Sequence, residues 1–173
     1  MVGLTLMHMI ERHSERLARG LTEQICRSDR TSDFRKIPSK DLQLAAAEVY
    51  RNLGEWVLQK AEHDIECWFR AIGARRAAEG ISLHQFVWAL MLTRDYLWRF
   101  LDHEVFSDSI VQLHGELELQ QILNQFFDRA VYYGILGYRD PGPQDSPKTR
   151  ASESPEGLAI QMLQCLSLSP VRW

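Results

Sequence analysis

The chain has 173 residues, of which 45% are hydrophobic and 25% charged, a composition typical of a folded domain rather than of a disordered or collagen-like chain. Its formal charge of −3 gives no general attraction to nucleic acid or to an anionic membrane, so neither is an expected partner. No apolar run reaches the roughly 20 residues of a membrane-spanning helix, and the 3 widely spaced cysteines argue against a disulfide framework. We therefore expect a cytoplasmic protein with reduced thiols.

The first predicted element is an amphipathic helix over residues 4–27. Apolar side chains recur there at three- and four-residue steps, and Gly20 is expected to loosen the helix. Residues 28–38 are mostly polar, lack a period and end at Pro38, which forbids a helix running straight through. A loop is therefore predicted between the first two helices.

The second predicted helix follows this loop, with Ser39 or Asp41 as its cap. An apolar pattern of helical period runs from Leu42 to Ile72 with little break. The segment is therefore either one long helix or a helix that bends near residues 60–64.

The third predicted helix begins at Leu83, because Ser82 and Gln85 have the spacing of a capping box in which Gln85 reaches back to the backbone of Ser82. One apolar stripe along it consists of Leu83, Phe86, Val87, Leu90, Leu97, Trp98 and Leu101. A second stripe on another face consists of Trp88, Leu92, Tyr96 and Phe100. A helix that is apolar on two faces is central in the fold or lies at a subunit contact.

Ser107 or Asp108 can cap the last long helix. No alternating strand pattern and no hairpin signal occurs, so the predicted fold class is all-α, with a helical domain over residues 1–139. Residues 140–157 contain four prolines among polar residues, which predicts a flexible linker. Residues 158–173 regain enough apolar character for a short helix or a docking peptide.

No pattern of catalytic or metal-binding residues stands out. None of the 6 histidines has a Glu three positions before it, as di-iron bundles require, and cysteines paired at zinc-binding spacing are missing. The best local pair is His63 with Cys67, one helical turn apart, but two ligands are too few for a metal site. We therefore expect no enzyme activity, no metal and no cofactor.

Three further polar or glycine-rich features favour structural interpretations. Gly134 to Gly137 matches neither a Walker loop nor a dinucleotide fingerprint, and we interpret it as a close contact between helices. The basic run of residues 70–76 is interpreted as a solvated helix end. Arg94 lies among apolar residues and, if buried, needs an acidic partner from another helix or an aromatic face, because Asp95 points elsewhere. Otherwise Arg94 serves a ligand pocket or a subunit contact.

A family resemblance is carried by two stretches of the sequence. They are Tyr50-Arg51-Asn52-Leu53-Gly54-Glu55-Trp56 and Arg75 to Leu90, the latter continued by Arg94, Leu97 and Trp98. They resemble the N-terminal domain of the RsbT co-antagonist (RsbRD) family over roughly residues 17–138. The resemblance implies a globin-like helical bundle of about five to six helices that holds no haem, dimerises and passes signals to an output domain in bacterial stress signalling.

In that family the output is often a phosphorylatable STAS domain. Here the residues after Tyr138 show no alternation of strands and helices, so the sequence predicts a domain that acts alone or with a separate signalling protein.

The leading functional hypothesis is a non-catalytic signal-input or protein-interaction domain, in which a partner or an unknown small ligand biases the packing of the bundle. One alternative is a haem-binding globin-type sensor with His84 or His103 as the iron ligand. Another is a small-molecule or lipid-binding helical protein. Its binding site would use the aromatic residues Trp88, Tyr96, Trp98 and Phe100.

The candidate dimer or ligand face consists of Trp88, Leu92, Arg94, Tyr96 and Phe100. Its apolar members form a second stripe, and leaving that stripe in water would cost about 25 cal/mol per Å². A homodimer around a two-fold axis would cover it. The competing interpretation is that the first helix, over residues 4–27, covers the stripe within one chain.

Overall fold

A computed structural model describes the backbone of residues 2–59, 62–104 and 112–141, and the side chains of residues 7–54, 62–103 and 119–141. Over these residues the chain forms α-helices and one 3₁₀ segment, without a strand. The elements are α1 Val2–Arg12, α2 Ser14–Arg27, the 3₁₀ segment Asp29–Lys36, α3 Ser39–Gln59, α4 Glu62–Ala78, α5 Leu83–Glu104 and α6 Gln112–Arg139. The predicted all-α bundle is confirmed, and its globin-like arrangement stays a prediction.

The single helix predicted at the start of the chain is two helices, divided at His13. His13 adopts φ −98° and ψ 10°, outside the helical values. Its N–H still donates to the carbonyl oxygen of Met9 (3.0 Å), and its own carbonyl accepts from the N–H of Leu17 (2.9 Å), so the division is a kink. Gly20, where loosening was predicted, lies inside α2. The prediction placed the weak point wrongly because apolar spacing continues across His13.

The loop predicted over residues 28–38 is largely the 3₁₀ segment. Its start is fixed by Ser28, whose Oγ accepts from the N–H of Arg30 (3.2 Å), and by Thr31, whose hydroxyl donates to the carbonyl oxygen of Ile25 (2.6 Å). Phe34 in its middle is buried in the core. These contacts hold the segment against the bundle, so it takes part in the packing.

The core joins all six helices and the 3₁₀ segment. Phe69 of α4 and Phe126 of α6 meet edge to face, with ring centroids 5.7 Å apart. The hydroxyl of Tyr50, a fully buried residue of α3, donates to the carbonyl oxygen of Thr93 in α5 (3.0 Å). The phenol thereby satisfies its polar end while its ring packs in the core.

Helices α4 and α6 cross at very short distance through glycines. A Cβ atom at Gly73 would lie 2.0 Å from the carbonyl oxygen of Gly134, and one at Gly137 would lie 2.0 Å from that of Arg70. No side chain fits at either position, which confirms the close helix contact predicted for Gly134 to Gly137.

The remaining helix boundaries agree only in part with those predicted from the sequence. α3 ends at Gln59 and α4 begins at Glu62, within the region where a bend was predicted. The caps predicted at Ser107 and Asp108 lie outside the described residues, as do positions 142–173 of the predicted linker and tail. In the described part of the chain, no helix is long and apolar enough to span a bilayer.

Candidate interaction surface

The N-terminus of α5 is held by a side chain from the 3₁₀ segment. The carboxylate oxygen Oδ2 of Asp33 accepts from the N–H of Ser82 (3.0 Å) and from its hydroxyl (2.5 Å). In return, the N–H of Asp33 donates to Oε1 of Gln85 (2.7 Å), whose Nε2 donates to the hydroxyl of Ser32 (3.3 Å). Four hydrogen bonds thus join two segments about 50 residues apart in the chain.

This arrangement corrects the predicted capping box. Gln85 does not reach back to Ser82, because its amide is used by the 3₁₀ segment instead, and the carboxylate at the helix start comes from Asp33. The two Ser82 donors, followed by the ammonium of Lys36 at 3.1 Å, lower the pKa of Asp33 from 3.8 to about 2. Sequence reasoning missed Asp33, since nothing local distinguishes it from the other polar residues of its segment.

We predict that Asp33→Asn removes a pH-dependent part of the stability. A carboxyl group whose folded pKa lies below its unfolded pKa stabilises the fold above pH 4 and loses this effect as the pH falls from about 4 to about 2. Urea unfolding at several pH values between 5 and 2 should therefore show a shallower acid loss for Asp33→Asn than for the wild type. Ser82→Ala removes one donor to this carboxylate and should also make the acid loss smaller, and identical pH profiles for all three proteins would rule out this role.

The predicted second stripe of α5 lies against α2 and the 3₁₀ segment of the same chain. Leu92 is buried, and the hydroxyl oxygen of Tyr96 lies so close to α2 that a Cβ atom on Gly20 would be 1.8 Å from it. The ring of Phe100 is 5.7 Å from that of His13 at the start of α2. Within one chain, α2 and the 3₁₀ segment therefore cover part of this stripe, in the direction of the alternative interpretation, and Trp88, Tyr96 and Phe100 stay half-buried.

An arginine guanidinium lies over each of the three aromatic rings in this stripe. The guanidinium carbons lie within the range of cation–π contacts. The pairs are Arg30 over Trp88 at 4.5 Å, Arg99 over Tyr96 at 5.7 Å and Arg16 over Phe100 at 5.5 Å. Four of the five candidate face residues are therefore engaged within the chain, and only Arg94 lies elsewhere.

A different face of α5 is only partly covered by the described part of the chain. Val87, Met91, Arg94 and Trp98 recur at steps of three and four residues, so they share one side of the helix. Met91 is 37% exposed, and the other three are half-buried. Apart from Arg94 this side is apolar.

Helix α6 extends this open face. Gly134 faces α5, because a Cβ atom there would meet the ring of Phe86 at 3.1 Å. Successive residues of a helix are about 100° apart around its axis. Val131 and Ile135 therefore lie on one side of Gly134, and Gly137, which packs against α4, lies on the other side. Both side chains are half-buried. The residues Val87, Met91, Arg94, Trp98, Val131 and Ile135 are called the α5–α6 outer face below.

The partner of Arg94 differs from the prediction. Its Nε lies 3.4 Å from Oδ1 of the adjacent Asp95 rather than near a carboxylate of another helix. A partner from another helix was predicted only for a buried Arg94, but the side chain is 29% exposed, and a long guanidinium side chain at a surface can turn toward its neighbour. Arg94 therefore adds a partly neutralised charge to the outer face.

The basic run of residues 70–76 is only partly a solvated helix end. Arg70 pairs with Glu66 at 3.0 Å, and Arg75 pairs with Glu79 at 3.0 Å, both at half-exposed positions. Arg76 is buried, contacts Glu79 at 2.6 Å and lies over the ring of Phe34 at 5.8 Å. The prediction is thus wrong for Arg76, whose charge is used inside the fold.

The histidines show no geometry for haem or metal chemistry within the described part of the chain. His84 and His103, the candidate haem ligands, are exposed rather than aimed into an apolar pocket. His63 and Cys67 lie on one turn as predicted, with Nε2 and Sγ 3.7 Å apart. No third His, Cys, Asp or Glu side chain joins them in a group that could hold a metal, as far as residues are described.

One groove borders the covered stripe. It has a volume of about 460 Å³ and is lined by Gly20, Glu23, Gln24, Arg27, Ser28 and Tyr96. Small-molecule sites are usually concave and mostly apolar, whereas this groove is open and carries charged side chains. Of the four aromatic residues predicted to line a ligand site, only Tyr96 reaches it.

The chain matches the model of a known protein family. The model of the family described as the RsbT co-antagonist protein rsbRD N-terminal domain matches residues 15–141. Curated proteins and solved structures give no significant match. The matched region spans α2 to α6 and therefore contains both the covered stripe and the α5–α6 outer face.

Proposed function

The chain belongs to the family of RsbT co-antagonist protein rsbRD N-terminal domains, a regulatory family, and we therefore propose that it is a non-catalytic signal-input domain of bacterial stress signalling. In this proposal two copies associate through the α5–α6 outer face, in the cytoplasm. The signal is a small ligand or a partner protein, and the output is a separate signalling protein.

The observation that carries the proposal is the open apolar side of the α5–α6 pair. Large apolar side chains that are exposed in the described part of the chain are Leu44 on α3 (47%), Met91 on α5 (37%) and Tyr132 on α6 (59%). Met91 is accompanied on its own face by the half-buried Val87 and Trp98. Apolar side chains that line one side of a helix pair and remain partly accessible favour a protein interaction site there.

The geometry of the pair suits a two-fold dimer. Phe86 near the start of α5 stacks on Tyr138 near the end of α6, with centroids 6.3 Å apart, so the helices run antiparallel. Two such pairs that meet face to face form a four-helix arrangement, in which the same patch of each copy is buried. Arg94 lies between Met91 and Trp98 on this face, and its pairing with Asp95 would turn its guanidinium toward the exposed edge of the contact, where the charge stays hydrated.

Helix α5 also links this face to the N-terminal part of the chain. Asp33 holds its first turn, and α2 packs along its other side at Tyr96. A ligand or partner that displaces α2 or the 3₁₀ segment would therefore shift α5 and change how two outer faces fit. Such a ligand or partner favours the packing of the dimer that it binds more tightly. The size of the shift is set by the difference between its affinities for the two packings.

The dimer is tested by placing a charge on the outer face. Met91→Glu should weaken association by at least about tenfold, because a two-fold contact would bury the new carboxylate twice without a partner. Leu44→Glu, at the other strongly exposed aliphatic residue, should leave association unchanged. Multi-angle light scattering at about 50 µM measures the mass of each variant. This concentration is high enough for dimers of ordinary affinity to form.

A wild-type chain that stays monomeric at that concentration, or a Met91→Glu dimer as stable as the wild type, would contradict the proposal. Tyr96→Glu serves as a further comparison. Because Tyr96 packs inside the chain, its replacement should lower thermal stability, whereas Met91→Glu should leave the monomer folded.

A further inference from the structure

We propose that residues 158–168 of the same chain dock on the α5–α6 outer face and compete there with a second copy. The segment would then act as a built-in brake on dimer formation. The inference deepens the proposed function, since it assigns regulation to the same face.

The outer face offers a site of matching size. Along α5 it extends from Val87 to Trp98, which at 1.5 Å per residue is about 16 Å. Its apolar centre is Met91, 37% exposed, and the charge it carries is that of Arg94 beside Asp95. A peptide that fits it should therefore be short, apolar and uncharged.

The segment from Leu158 to Leu168 has these properties. Its sequence, LAIQMLQCLSL, contains no charged residue. The polar residues Gln161, Gln164 and Ser167 are three apart, which is the pattern of one polar stripe on a helix whose other sides are apolar. Eleven residues of helix measure about 16 Å, the length of the open strip on α5.

The connection to α6 is long enough for this contact. α6 ends at Arg139, one turn after Ile135 of the outer face, and residues 140–157 separate its end from the segment. If these 18 residues behave as a flexible chain, as their composition predicts, they span about 25 Å on average. At that length the effective concentration of the segment at the face is on the order of millimolar, so a segment that binds with a dissociation constant of about 1 mM would cover about half of the faces and would weaken dimer formation without preventing it.

Disulfide trapping in the full chain tests the contact. With Cys26→Ser and Cys67→Ser, Cys165 of the segment remains as the native thiol, and Met91→Cys adds one on the outer face. Oxidation is carried out at about 1 µM, where the effective concentration favours a contact within one chain. The disulfide between Cys165 and the thiol of the Met91→Cys variant should form at least about tenfold faster than the disulfide between Cys165 and the thiol of the control variant Leu44→Cys. Mixing isotopically labelled and unlabelled chains before peptide mass analysis separates links within a chain from links between chains.

A second measurement tests the same contact without oxidation, through its effect on dimer formation. Leu163→Glu should release the face and strengthen dimer formation by about tenfold, a change of about 1.4 kcal/mol, whereas Gln164→Glu on the polar stripe should not. Equal trapping rates at positions 44 and 91, or links between chains alone, would overturn the inference. Trapping within monomers would support it even if the wild type never dimerised, so its failure and that of the proposed dimer are distinguishable.

Discussion

Phe126→Ala is expected to lower the free energy of unfolding by about 4 kcal/mol, the usual cost of removing a buried phenyl ring. Phe126 is 2% exposed, and its ring contacts Phe69 of α4 at 5.7 Å and Phe127 at 5.2 Å, both edge to face. The substitution would leave a cavity between α4 and α6 that the closely packed helices cannot fill by moving together. Chemical denaturation followed by circular dichroism measures the change.

Tyr132→Ala is the matched control, because Tyr132 lies on the same helix but is 59% exposed. Its replacement should change the free energy of unfolding by about 0.5 kcal/mol or less. Since small domains are stable by only about 5–15 kcal/mol, the Phe126→Ala chain should also be partly unfolded well below the wild-type melting temperature. A loss below about 1 kcal/mol for Phe126→Ala would show that this part of the core is not packed as described.

Gly137→Ala is expected to destabilise the domain by about 3 kcal/mol, although alanine normally stabilises a helix relative to glycine by about 1 kcal/mol. The added Cβ would lie 2.0 Å from the carbonyl oxygen of Arg70 and 2.5 Å from its Cα. Both are backbone atoms, so no side-chain rotation can relieve the overlap. Helices α4 and α6 must separate, which loosens every contact along their crossing.

The control for Gly137→Ala is Ala71→Gly on the exposed side of α4. That change should cost about 1 kcal/mol through helix propensity alone. Urea titration of both variants gives the comparison, and a Gly137→Ala chain at least as stable as the wild type would refute the close helix contact.

Features that depend on neighbouring residues could be predicted from the sequence. The start of α5 at Leu83 and the all-α class follow from local spacing and agree with the structure. The glycine contact was predictable because Gly134 and Gly137 sit near the end of a strongly apolar pattern where no phosphate-binding motif fits. These features need no knowledge of which helix lies beside which.

Features that depend on distant residues could not be predicted. Asp33 and Ser82 are 49 positions apart, so the true anchor of α5 left no local signal, and a plausible capping box with Gln85 stood in its place. The two apolar stripes of α5 were visible, but their roles depend on α2. Once α2 covers Tyr96, the open side of α5 is the one that carries Met91.

The meeting of two copies at the α5–α6 outer face can be followed through the methyl resonances of ¹³C-labelled methionine. Among the 5 methionines, Met91 lies on the outer face, whereas Met7 is buried at 2% exposure. On dilution of the wild-type chain from about 200 µM to about 2 µM, the Met91 resonance should shift with the fall in mass and the Met7 resonance should stay in place. A mass that halves while the Met91 resonance does not move would place the dimer contact elsewhere and contradict the proposal.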